Sequence, residues 1–176
     1  MIECTNQQIE TPEVIVHTSH TFSLDRSGID CLVASATKNK RNRVRLCAHK
    51  TKEEKVHEMF IVHPRHAYVR PHKHIGKSES ILVLQGDLDF LIFDETGKIK
   101  ERIEMGVYNS GRQFFQHTGP ECIHTLVIHS EWLVFLEITE GPFVERDTHY
   151  AEWSPEESDL EGATGFVKSL IKDTII

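Results

Sequence analysis

The sequence predicts a mainly β protein, an antiparallel sandwich or barrel with a helix towards each end. Three observations carry that prediction. From Val44 to about Ile138 the chain is a succession of short aromatic or β-branched stretches. Turn signals separate them: Gly86-Asp87, DETG (94–97), HTGPE (117–121), HSE (129–131) and EGP (140–142). Helical spacing marks residues 27–40 and the tail from Ser158. About eight or nine strands over roughly a hundred residues fit antiparallel pairing, not the long crossovers of a parallel sheet.

In order, VIVHTSHTF (14–22) reads as an early strand. SGIDCLVASATKNK (27–40) places Ile29, Leu32, Val33 and Ala36 at helical spacing, with Ser27 or Asp25 as its cap. The strands expected next are VRLCAH (44–49), HEMFIVH (57–63), YVRPHKH (68–74), ESILVLQG (79–86), DLDFLIFD (87–94), KIKERIEM (98–105), RQFFQH (112–117), HTLVIH (124–129) and EWLVFLEI (131–138). In the tail, Leu160, Phe166, Val167, Leu170 and Ile171 form an apolar stripe. The expected organisation is one structural domain: residues 1–43 packing on a barrel of 44–145, and a C-terminal extension over 146–176.

At 176 residues, 39% hydrophobic and 27% charged, the chain has enough apolar side chains for one sizeable core. A formal charge of −7 speaks against a nucleic-acid partner. The basic stretch KNKRNRVR (38–45) reads as a solvated loop leading into a strand. No apolar run approaches the ~20 residues of a membrane span. The opening MIECTNQQIETPE is acidic and polar, unlike a secretory leader. Cys4, Cys31, Cys47 and Cys122 show no CxxC spacing, so free thiols and a cytoplasmic location are expected. Cys122, two residues before His124, reads as a small buried thiol.

Twelve histidines are many for this length. Their informative cluster is YVRPHKHIGKSE (68–79). Strand side chains alternate, so a strand over 68–74 would place Tyr68, Arg70, His72 and His74 on one face. Glu79 follows His74 at an odd offset and can join that face only if the chain turns at IGKS (75–78), where Gly76 permits it. Glu79 would then open the neighbouring strand, with Ile81, Val83 and Gln85 on its face. His124, sharing a face with Leu126 and Ile128, would supply a fourth ligand. Three histidines and a carboxylate suit one divalent ion of Mn, Fe, Co, Ni or Zn, with open positions for a ligand. Ligation needs neutral imidazole and ionised carboxylate, so acid should release the ion. An HxH pair alone is weak. The remaining histidines lack comparable spacing.

Strand parity also places Arg70 inside the barrel, where a charge needs a partner. Two readings stand: an ion pair with Glu137, whose face includes Phe135 and Thr139, or a clamp on the carboxylate or phosphate of a ligand. Tyr68 would donate a hydrogen bond or fill the barrel mouth, and Gln85 would line the site.

The segment HKHIGKSESILVLQG (72–86) resembles the first cupin motif, HxHx₄Ex₆G. GPECIH (119–124) is similar to the second, PxGxxH, with Gly119 in place of its proline and Glu121 in place of its glycine. His66 stands where the first motif has its leading glycine. YVRPHKH, LVLQGDLDFLIFDETGKI, HTLV, EITEGPF and YAEWSPEE together resemble the WbuC family of cupin-fold metalloproteins. That resemblance implies a double-stranded β-helix (jelly-roll barrel) holding a metal, and an association with bacterial surface-polysaccharide genes. The expected partner is a small molecule, anionic or sugar-like, such as a sugar or sugar nucleotide. The expected chemistry is isomerisation or epimerisation, with Glu137 as the catalytic proton carrier or a metal-bound hydroxide in its place. An Fe(II)-dependent oxygenase and a non-catalytic, metal-stabilised binding module are the alternatives. By analogy, a homodimer is expected.

Overall fold

The computed structural model describes residues 7–172, so Cys4 lies outside the described residues. In chain order the elements are β1 (Gln7–Thr11), β2 (Val14–His17), α1 (Arg26–Ala36), β3 (Val44–Cys47), β4 (Val56–Pro64), β5 (His72–His74) and β6 (Glu79–Gln85). They continue with β7 (Asp87–Phe93), β8 (Ile99–Gly106), β9 (Phe115–Thr118), β10 (Ile123–Ile128), β11 (Trp132–Glu140), β12 (Thr148–Tyr150) and α2 (Leu160–Lys172). The strands form two sheets, ordered β1-β2-β3-β4-β11-β6-β9 and β12-β5-β10-β7-β8. Every pairing of named strands is antiparallel except β2 with β3.

Period-two alternation sorts the side chains into three layers. Ile81 and Val83 of β6, Leu88 and Phe90 of β7, Leu126 and Ile128 of β10, and Leu133 and Phe135 of β11 pack together between the sheets. Truncating Phe135, which is 2% exposed, would cost about 3–5 kcal/mol through lost burial and the cavity left behind. The opposite face of β10 gives Ile123 and Val127 to a second cluster with Leu91, Phe93 and Leu170 of α2. Val44 and Leu46 of β3 turn outward to meet Ile29, Leu32 and Ala36 of α1.

Local chemistry sets the boundaries. Asp25 caps α1 by accepting from the Gly28 amide at 2.9 Å. That helix stops at Ala36 instead of running to residue 40, because the Asn39 side chain bonds the Arg43 backbone and turns the chain. Gly86, at φ 86°, makes the turn from β6 to β7; a Cβ there would lie 2.3 Å from the Trp132 carbonyl oxygen. In α2, Leu160 is 76% exposed, and Ala163 takes the buried position expected of it.

One departure matters for the site. The strand expected over 68–74 is confined to His72–His74. Pro71 has no N–H to extend a ladder. The carbonyls before it are taken up individually: Val69 by the Thr125 hydroxyl and Arg70 by His72 Nδ1. β12, which the sequence reading does not contain, pairs with β5 and completes that edge.

Candidate metal centre

Three strands drawn from both sheets deliver the cluster. His72 and His74 are the ends of β5, with Lys73 between them turned outward towards Glu95 at 2.8 Å. The chain then reverses at Gly76, φ 67°, and Glu79 opens β6 in the other sheet. His124 lies directly opposite His72 in the β5–β10 pairing. One ligand atom from each of His72, His74, Glu79 and His124 can be chosen so that all lie within 4.8 Å of one another.

The second ring nitrogen of each histidine is occupied. His72 Nδ1 donates to the Arg70 carbonyl at 2.8 Å, and His124 Nδ1 to the Cys122 carbonyl at 3.0 Å. A carbonyl can only accept, so in these two rings Nδ1 carries the proton and Nε2 is left for a ligand. His74 Nδ1 meets the Thr148 hydroxyl of β12 at 3.3 Å. The Nε2 atoms of His124 and His74 stand 2.7 and 3.1 Å from the two oxygens of Glu79. This is the outer-shell orientation that metal-binding histidines need.

Electrostatics fit the same role. Glu79 is 5% exposed, and its burial opposes ionisation. The charge and hydrogen bond of His124, then the bond from His74, outweigh that burial and hold the carboxyl well below the usual range. Burial, then the neighbouring His124, lowers His72 to about 4. His124 moves the other way: burial disfavours its cation, but Glu79 outweighs it and raises the pKa. The cluster thus contains an ionised carboxylate, a neutral imidazole, and an imidazole whose proton a cation would replace. The donor set fits a divalent transition metal, and His72, His74, Glu79 and His124 are the residues that can hold it.

A cavity of about 250 Å³ opens over His72, His74 and Glu79. Its wall on the larger sheet includes Arg45, Cys47, Met59, Glu137 and Thr139, with His49 and His57 stacked 4.0 Å apart. Phe143, Val144, Asp147 and Thr148 form another side. Glu137 faces Met59 and Ile81 across the neighbouring strands. Burial, then the negative charge of Glu79, pushes its carboxyl up to about 8.

The other residues singled out in the sequence lie elsewhere. Arg70 is not paired with Glu137 and does not line the cavity. Because the strand ends before it, its guanidinium reaches Ser154, with Nε 3.2 Å from the hydroxyl, and stands 5.1 Å over the Tyr150 ring. Tyr68 donates to the Pro155 carbonyl at 2.8 Å. These two residues fasten the segment that follows β12 beside the histidine strand, leaving the Arg70 carbonyl as its contribution to the cluster. Gln85 sits at the far end of β6, paired with Val134, and does not line the cavity either. Cys122 supplies a backbone carbonyl, while the cysteine on the cavity wall is Cys47. Sequence reasoning missed Thr148, which lies in an unanticipated strand, and Arg45, which lies at the start of an expected strand but is given no role there.

The turn before His124 passes through the left-handed region without a glycine. Glu121 adopts φ 64° at the position where the second cupin motif has glycine, and its amide donates to the His74 carbonyl at 2.9 Å.

The structure resembles protein SO0799 from Shewanella oneidensis, with a TM-score of 0.53 at 8% identity over 76% of this chain and 87% of that one. It also resembles the capsular polysaccharide assembling protein CapF from Staphylococcus aureus, with a TM-score of 0.50 at 15% identity over 65% of this chain. Both relatives have the cupin fold. This chain is a cupin-fold protein. The match spans only 33% of CapF. A family model described as a domain of unknown function, DUF6016, matches residues 24–105, from α1 through β8. That interval contains three of the four clustered residues and stops short of His124. No curated protein sequence matches the chain.

Proposed function

We propose that this cupin is a mononuclear metal protein that binds a small polar ligand at the open positions of the ion and converts it by proton transfer. The observation that carries the reading is the convergence of three imidazoles on one buried carboxylate beside a cavity, with Nδ1 of each ring held by the protein. The residues proposed to hold the ion are His72, His74, Glu79 and His124. A bound divalent ion would act as a Lewis acid, polarising a carbonyl or gripping a vicinal diol. Glu137, on the cavity wall and kept protonated at neutral pH by burial and Glu79, is the residue we assign as general acid: it donates its proton to the ligand and, as the resulting carboxylate, takes one back. The cavity is small for a ligand site, so it suits one sugar-sized molecule, and a nucleotide portion would extend outside.

A sugar or sugar nucleotide of surface-polysaccharide synthesis is the substrate class we favour, and isomerisation or epimerisation the reaction. That choice rests on the WbuC-like stretches of the sequence. The structural relatives support the fold alone. A cytoplasmic location and a homodimer belong to the same proposal. β1 is an edge strand with Ile9 73% exposed, and a second copy would cover it. Among the described residues no helix is long and apolar enough to cross a membrane.

The test is turnover of candidate sugar nucleotides before and after chelation. Activity is expected to vanish with the ion, return with one divalent metal, and fall at least about 100-fold in Glu137→Gln. Undiminished activity in metal-free protein would overturn the reading. Tight binding without product would favour a binding module, and coupled oxygen uptake with iron an oxygenase.

A further inference from the structure

Three arginines alternate along residues 41–45, and the structure commits two of them. Arg41 and Arg43 both bond Glu13, and both approach Glu157, at 3.2 and 3.6 Å. The side chain of Arg45, two residues on, makes no hydrogen bond or ion pair with any other described residue; only its backbone is engaged, with the amide donating to the Glu13 carbonyl at 2.8 Å. The alternation of β3 gives the reason. Val44 and Leu46 are buried against α1, which turns Arg45 and Cys47 to the opposite face, where both line the cavity.

The other charges around the cavity are largely spoken for. Glu79 belongs to the histidine cluster, Lys77 pairs with Asp147 at 3.0 Å, and Glu140 accepts from the Ser78 amide at 2.9 Å. Glu137 feels the positive field of Arg45 yet forms no ion pair with it. Lys50 and Lys52 add positive charge at the exposed edge of the same cavity. A guanidinium stays charged at any working pH, and its planar fork matches a carboxylate or phosphate oxygen pair.

We propose that Arg45 is the anion anchor of this cavity. Its ligand is a small molecule carrying a carboxylate or phosphate, which Arg45 grips while neutral oxygens of the same molecule face the His72–His74–Glu79–His124 cluster. The inference deepens the proposed function and rests on its ligand-binding half. It moves the anion contact expected of Arg70 to a different strand.

The experiment measures three affinities in wild type, R45Q and R45K by calorimetry: for Mn²⁺, and then, in Mn²⁺-loaded protein, for inorganic phosphate and for malonate. Phosphate and malonate are expected to bind wild type, to weaken at least about tenfold in R45Q, and to fall between the two in R45K. The larger loss of the two identifies phosphate or carboxylate as the matching group. Mn²⁺ affinity is expected to stay within about twofold across the three proteins, since Arg45 is not a ligand. Equal anion affinity in wild type and R45Q, or no anion binding by wild type, would overturn the proposal while leaving the metal centre intact. If wild type binds no Mn²⁺, the metal reading fails instead, and phosphate titration of the metal-free proteins still decides the role of Arg45. A thermal melt checks that each variant folds, and R45K preserves the test should R45Q unfold.

Discussion

Among the described residues, two buried carboxylates stand beside histidines, and they are solved in opposite ways. Asp89 of β7 is 1% exposed, with one oxygen 2.7 Å from both Arg102 and His129. Burial opposes its charge, and the bonds from His129 and Arg102 prevail, holding the carboxyl below its usual range. Glu79 is nearly as buried, but among the described residues its side chain bonds only to histidines. The difference is one permanent cation. Arg102 neutralises Asp89 in the fold itself, so that site is closed and structural. Three imidazoles bring lone pairs and no fixed charge, so the positive charge at Glu79 must come from protons or from an ion. In the second arrangement the carboxylate itself, with His72 and His74, lines a cavity. A buried carboxylate with histidines is therefore a metal candidate when no arginine has already answered it.

Substitutions separate the two sites. The largest expected effect is His124→Ala, which removes a ligand atom and should weaken Mn²⁺ or Zn²⁺ binding by more than the ~10–100-fold that outer-shell changes cost. Equilibrium metal titration measures it. Asp89→Asn should leave metal affinity unchanged and lower stability by about 2 kcal/mol, because Arg102 and His129 lose their shared partner. Chemical denaturation with a parallel metal titration checks both halves.

The next effect is pH dependence, with a different sign for each group. Glu79 has a lowered pKa, so its contribution to stability is present above the ordinary carboxylate value of 4.5 and is lost as pH falls through its folded value. His72, at about 4 in the fold, costs stability as pH falls from 6.5 towards 4, because the unfolded chain takes up the proton first. His124, raised, stabilises the metal-free protein fully below 6.5 and loses that contribution as pH rises through its folded value. An ion must displace the His124 proton. Metal affinity should therefore rise about tenfold per pH unit up to that raised pKa and level off above it. Competition titrations from pH 5.5 to 8.5 measure the slope, at values spanning roughly the histidine range.

The smallest effect concerns the turn that carries His124. Glu121 holds a left-handed conformation that glycine adopts freely, so Glu121→Gly should raise stability by about 1 kcal/mol with metal affinity unchanged. A thermal melt shows the shift, and a fall in metal binding would mean that the side chain itself serves the site.

The grouping of His72, His74 and Glu79 was legible because it needs only two local facts: alternation along a strand and a turn at Gly76. His124 was legible from the same alternation, with Leu126 and Ile128 marking its inward face. Most strands were legible for the same reason, since their apolar runs end at Gly, Pro or Asp-rich turns. Alternation failed where the ladder does. Extending the strand through Pro71 assigned Arg70 and Tyr68 to the barrel interior, whereas the chain leaves the sheet there and both side chains reach the segment after β12. Arg45 was illegible for a different reason. Its neighbours Arg41 and Arg43 are spent on Glu13 and Glu157, which approach from distant parts of the chain. Which arginine of a run remains uncommitted is decided by that tertiary pairing. Thr148 depends likewise on β12 pairing with β5.

On the function proposed here, Glu79, unlike Asp89, is completed by a metal ion. Elemental analysis of wild type, E79Q, H124A and D89N, each purified without chelator and dialysed against a mixture of Mn, Fe, Co, Ni and Zn salts, tests it most directly. One divalent ion per chain is expected in wild type and D89N, and none in E79Q and H124A. Wild type that takes up no ion, or an ion retained equally in all four proteins, would contradict it.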